Sequence, residues 1–155
     1  MDTEEQLVVV RVGEGYYGLD IKNINEIVKT KSITPIPHAA DFVEGLMNLR
    51  GQIVTVVNFE SKLATLQDRA VNLNENSSKK AERIIVMNQA GELIGLHVDA
   101  VEKVVTVETK DLEVPNDYSV KDQGIVESVI QVNDYLVLKI NIEHLLQPLS
   151  GEGRE

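Results

Sequence analysis

Three histidines, His38, His97 and His144, are the side chains best suited by type to acid–base or metal chemistry, but their spacing serves neither. No two stand at a ligand interval such as HxxxH. His38 follows Pro37 in a loop, and His144 falls on the polar side of a terminal helix. His97 alternates with the apolar Leu96 and Val98, so it should face solvent or a seam between lobes. The chain has no cysteine, which removes disulfides, thiolate zinc sites and thiol catalysis together. Asp20 and Asp99 each follow a strand, where hydrogen bonding to turn backbone accounts for them better than a catalytic pair does. No GxSxG, P-loop or GxGxxG is present, and Gly13-Glu14-Gly15 has turn glycines without a phosphate-binding helix after it. The most specific segment is Phe42-Val43-Glu44-Gly45-Leu46-Met47-Asn48-Leu49-Arg50-Gly51. Gly45 and Gly51 bracket a stretch that needs a turn or a close backbone approach. Arg50 can fork to a carboxylate through two parallel hydrogen bonds, either a partner's or one of this chain's own. The chemistry offered is recognition, not catalysis.

Such a motif needs a scaffold, and the chain states its scaffold twice. Tyr17-Gly18-Leu19-Asp20-Ile21 through Val28 aligns without a gap on Ile94-Gly95-Leu96-His97-Val98 through Val105, at a constant offset of 77. Val56 to Leu63 echoes Lys139 to Leu146, in the same order along each half. Self-similarity of this kind sets the architecture. It implies two related β-rich lobes, approximately 7–66 and 83–149, joined by a polar linker at 67–82. Halves of this size are marginal alone, so they should share an apolar interface and act as one domain over 1–155.

Within each half the pattern is mostly strand. Leu7-Val8-Val9-Val10 opens a hairpin that turns at Gly13–Gly15 and returns through 16–21. Residues 22–25 read as a helical turn and 26–30 as extended. Pro35 and Pro37 bound a loop. Residues 42–49 read as a helical turn entering Gly45 and then a strand; 53–57 is the clearest strand of this half. Asn58 should cap a helix carrying Phe59, Leu63 and Leu66 on one face. The second half repeats this with strands near 83–87, 93–98, 104–107, 125–132 and 135–140, a loop at 111–122, and a helix capped by Asn141. Many short strands joined by turns suggest barrels or a sandwich, and the duplication favours two small barrels packed together.

A net charge of −10, from 25 acidic and 15 basic residues, excludes a nucleic-acid surface, which needs clustered Lys and Arg. It also disfavours anionic membranes. Met1-Asp2-Thr3-Glu4-Glu5 lacks the basic start of a signal peptide, and no apolar run approaches the roughly 20 residues of a membrane span. The expected location is the cytoplasm.

The quoted segments together resemble the CheW family of chemotaxis coupling proteins. The similarity runs from Tyr17-Gly18-Leu19-Asp20-Ile21 and Glu26-Ile27 through Ile33-Thr34-Pro35-Ile36-Pro37 to Phe42-Val43-Glu44-Gly45 and Asn48-Leu49-Arg50-Gly51. It continues in Gly95-Leu96-His97-Val98-Asp99 and closes at Ile140-Asn141-Ile142. It implies an all-β fold of two SH3-like five-stranded β-barrels on a shared hydrophobic core, with short helices including one near the C-terminus. It also implies a non-catalytic adaptor without cofactor or metal. Its partners would be the regulatory domain of the histidine kinase CheA and the cytoplasmic tips of methyl-accepting chemoreceptors, whose arrays lie at the inner face of the membrane. On this resemblance Arg50 matches an arginine linked to receptor coupling, Ile24, Glu26 and Val104 match partner-contact positions, and Gly45 matches a glycine whose change disturbs binding. Asn48, Leu49 and Gly51 complete the motif, and Ile53 is an apolar contact on the strand after it. Ile24, Val104 and Arg50 are expected to share one groove. Thr55 stands where the family often has Pro, so any partner contact made there does not transfer. The alternative from another class is a small ligand-binding or hydrolytic β-barrel, which would need a polar pocket around His97 or His38.

Overall fold

The computed structural model describes residues 4–67, 81–108 and 125–146. The expected loop at 111–122 and nearly all of the 67–82 linker lie outside the described residues. Among the described residues, ten strands and short helices follow one another in the expected order. The first half has β1 (Glu4–Val12), β2 (Gly15–Asp20), a 3-10 turn at Ile21–Asn23, β3 (Glu26–Lys29), β4 (Val43–Leu49), β5 (Gln52–Asn58) and α1 (Phe59–Gln67). The second has β6 (Arg83–Gln89), β7 (Glu92–Val98), β8 (Ala100–Glu108), β9 (Val126–Val132) and β10 (Tyr135–Ile140), then helical residues 142–146.

The strands form two five-stranded mixed sheets, ordered β8-β1-β2-β10-β9 and β3-β6-β7-β5-β4. Closed barrels, expected from the resemblance, are not traced by these ladders among the described residues. Nor do the sheets follow the sequence halves. The halves expected as lobes, 7–66 and 83–149, each give strands to both sheets. The junctions are the parallel pairs β2–β10 and β5–β7. A parallel pair cannot be closed by a tight hairpin, so its strands come from distant parts of the chain. In the repeat frame β1 to β5 correspond to β6 to β10. Both sheets therefore have the same order, third-first-second-fifth-fourth. In each, the first two strands come from one half and the other three from its repeat: a reciprocal exchange.

Packing obeys the same equivalence. A Cβ on Gly18 would meet Val137 and Leu7, and one on Gly95 would meet Val54 and Ile84. Those neighbours are repeat equivalents of one another. At Gly95 the approach to Ile84 is 2.5 Å, too close for any side chain. The largest core joins the sheets, with Val8, Val10 and Leu19 from one, Val57, Ile85 and Leu96 from the other, and Phe59, Leu63, Leu145 and Leu146 from the helices. This is the shared apolar interface that the size of each half requires.

Both helix caps form as expected. Asn58 accepts from the Ser61 amide at 2.8 Å, and Asn141 accepts from the His144 amide at 3.0 Å. Segment 42–49 differs from expectation, because strand begins at Val43 with no helical turn before Gly45. The cause is a β-bulge. The register with β5 shifts between Val43 and Gly45, leaving Glu44 as the extra residue and masking the two-residue alternation.

Candidate docking surface

The β4–β5 connection is the centre of the motif. Arg50 and Gly51 both have positive φ, 52° and 86°, as a tight hairpin turn requires. The Asn48 carboxamide accepts from the Gly51 amide at 3.0 Å and ties the turn to β4. Arg50 projects from it, 64% exposed, and its guanidinium donates to the Glu26 carboxylate. Of the two readings of Arg50, the ion pair within the chain is the one formed. Glu26 lies on β3 and Arg50 follows β4, the opposite edges of the same sheet. The pair therefore links the two edges of the sheet through side chains. A two-way backbone bridge between Thr34 and Leu46, 2.8 Å in each direction, ties the segment after β3 to β4.

Gly45 makes that bridge possible. It is buried with φ 145°, and a Cβ there would lie 2.2 Å from the Thr34 carbonyl oxygen. Within the fold its role is close backbone approach. Leu49 is also buried, within the sheet's own core of Met47, Leu49, Val54, Val56, Ile84 and Val86. Asn48, Arg50, Gly51 and Ile53 face outward, and Ile53, paired opposite Asn48, is 57% exposed. These four, with Glu26, form one surface: an apolar side chain beside an ordered turn and an ion pair.

Two further residues are expected at the same site. Ile24, half-buried, packs on the shared core together with Val101 of β8. Val104 is 51% exposed on β8, opposite Val8 in the other sheet. Of the three residues expected to share a groove, Val104 thus lies on one sheet, Arg50 follows β4 of the other, and Ile24 lies against the core that joins the sheets.

Sequence reasoning missed Ile27, Ile36 and Leu136, which are also exposed apolar residues. The duplication held the signal for two of them. Ile27 is the repeat equivalent of Val104 at the offset of 77, and Leu136 that of Ile53 at an offset of 83. Each sheet therefore presents an apolar pair at equivalent positions.

His97 is not on the open surface. Its ring lies between two carboxylates, Nδ1 2.7 Å from Glu44 and Nε2 2.8 Å from Glu82. Burial pushes its pKa down, but the bonds and charges of Glu44 and then Glu82 outweigh this and raise it. Burial likewise pushes Glu44 up, and the bonds from His97 and Asn58 bring it below the usual carboxylate range. The two carboxylates sit on opposite ring nitrogens, so the three groups cannot converge on one metal ion. A polar pocket of about 210 Å³ lies elsewhere, lined by Asp20, Asn23, Glu127, Lys139, Asn141 and Glu143 among others, and includes neither His38 nor His97.

The CheW-like domain family matches residues 6–149. This chain belongs to the CheW family. It is 32% identical over 118 residues to the chemotaxis protein CheW of Treponema pallidum, covering 74% of this chain and 65% of that protein. It is 26% identical to CheW of Thermotoga maritima, over 95% of this chain and 91% of that one. The crystal structure of the scaffolding protein TtCheW from Thermoanaerobacter tengcongensis superposes with a TM-score of 0.79 at 31% identity, covering 94% of this chain and 90% of TtCheW. The chain is a CheW-family chemotaxis scaffold, and the family is non-catalytic. No described helix is long and apolar enough to cross a membrane.

Proposed function

We propose that this chain couples the cytoplasmic tips of methyl-accepting chemoreceptors to the regulatory domain of the histidine kinase CheA, working in the cytoplasm and recruited to receptor arrays. The observation that carries this reading is the pre-ordered surface around the β4–β5 turn. Exposed Ile53 supplies apolar area, and the Asn48 cap and Glu26–Arg50 pair hold polar groups at fixed positions beside it. Fixing these groups before binding reduces the ordering cost of association. An apolar receptor helix tip can lay its anchors on such a surface. The second apolar pair, Val104 and Leu136 on the other sheet, supports a scaffold that engages two partners at once.

Calorimetric titration with a CheA fragment containing the regulatory domain tests the first half of this role. Saturable one-to-one binding is the expected result. No heat and no co-migration on size exclusion, with both proteins folded and every CheA of the organism tried, would refute it.

A further inference from the structure

The two sheets carry equivalent clusters of charge, built with different cations. In the β3-β6-β7-β5-β4 sheet, Glu44 and Glu82 flank His97, and the Asn58 amide donates to Glu44 at 2.8 Å. In the other sheet, Glu5 and Glu127 flank Lys139 at 2.7 and 3.1 Å, and the Asn141 amide donates to Glu127 at 2.9 Å. Glu5 corresponds to Glu82 at the offset of 77; Glu127 and Asn141 correspond to Glu44 and Asn58 at 83. The carboxylates and the amide are thus repeated, and the cation is not. Lys139 has Val56 as its counterpart, and His97 has Asp20. The cation stands on the fifth strand of the repeat, β10, in one sheet and on the second, β7, in the other; the first keeps its proton and the second can lose it.

We infer that His97 is a proton-dependent clamp on the β4 bulge, whereas Lys139 holds the equivalent place in the other sheet at any physiological pH. Each ring nitrogen faces a carboxylate oxygen within hydrogen-bond distance. Only the imidazolium can donate from both, since a neutral ring donates from one. On deprotonation one nitrogen lone pair would face a carboxylate, and either Glu44 or Glu82 must release. Glu44 is the bulged residue of β4, and Glu82 directly precedes β6.

Asn58 of β5 is bonded to Glu44, and the Arg83 guanidinium donates to the Glu82 carbonyl oxygen at 2.8 Å. Lys62 of α1 lies over the Phe42 ring at 4.2 Å, and Arg11 of β1 pairs with Glu102. The folded-state pKa of His97 lies above its unfolded value. The clamp's contribution is therefore complete below the unfolded pKa of about 6.5 and is lost as pH rises through the folded one. Lys139, also raised, keeps its proton throughout.

NMR of the full chain from about pH 6 to about pH 9 tests this without any partner, so it stands or falls separately from the proposed function. The His97 ring should titrate above the value of about 6.5 of an unperturbed imidazole. Amide protection factors, which remove the intrinsic pH dependence of exchange, should fall several-fold in β4 with the His97 midpoint, while those in β9 hold. Glu82→Gln should lower that midpoint and flatten the β4 response, because a carboxamide can donate to a neutral ring. A His97 midpoint at or below about 6.5, or β4 and β9 losing protection in parallel, would overturn the inference.

Discussion

An ion pair as exposed as Arg50–Glu26 contributes little to folding, because water screens both charges. Its value lies in fixing where the guanidinium points. Arg50→Ala should therefore change unfolding stability by less than about 1 kcal/mol in urea titrations. The same variant should lose receptor control of the kinase in a reconstituted assay. Full control with Arg50 removed would count against its docking role. Gly45 behaves in the opposite way. A methyl group there collides with the Thr34 backbone at a φ that other residues resist. Gly45→Ala should cost about 1–3 kcal/mol, as overpacking does, read as a lower denaturant midpoint. Any binding defect in that variant would then be a consequence of β4 shifting. Both residues stand out in the sequence, Gly45 by its type and Arg50 by its place before a glycine. The difference between them, one buried and one exposed, appears only when residues 33–34 come to lie on β4. His97 was harder to read. Alternation with Leu96 and Val98 shows which way it does not face. It says nothing of Glu44 and Glu82, 53 and 15 residues away in the chain.

Among the elements, the helices were the most legible, because caps and apolar spacing are local. Asn58 and Asn141 each bond the amide three residues on, and each also steadies a glutamate with its side-chain amide. Asn58→Ala and Asn141→Ala should each lose about 1 kcal/mol from the cap, measured by chemical denaturation. Asn58→Ala should in addition loosen Glu44, visible as faster amide exchange in β4. A variant as stable as the parent would mean the caps carry no weight. β4 was the least legible strand. Its bulge breaks the two-residue period that marks a strand, and a short break reads like a helical turn.

At the scale of the molecule, the exchange of strands makes the two halves inseparable. Each sheet contains strands from both, and the largest core draws on both sheets and on the helices of both halves. One cooperative unfolding transition is expected, with calorimetric and van't Hoff enthalpies equal. Two resolved transitions would show that the sheets are independent. The duplication, the strand inventory, the caps and the family resemblance were all present in the residues, since each depends on local spacing or on order along the chain. The choice of neighbours across β2–β10 and β5–β7 was not. Equivalent strands have equivalent apolar patterns, so β5 fits beside β2 of its own half about as well as beside β7 of the other. Only the closed tertiary structure, in which the helices of both halves seal one core, selects the exchanged pairing. That same selection places Val104 and Arg50 on different sheets and brings His97 between its two glutamates.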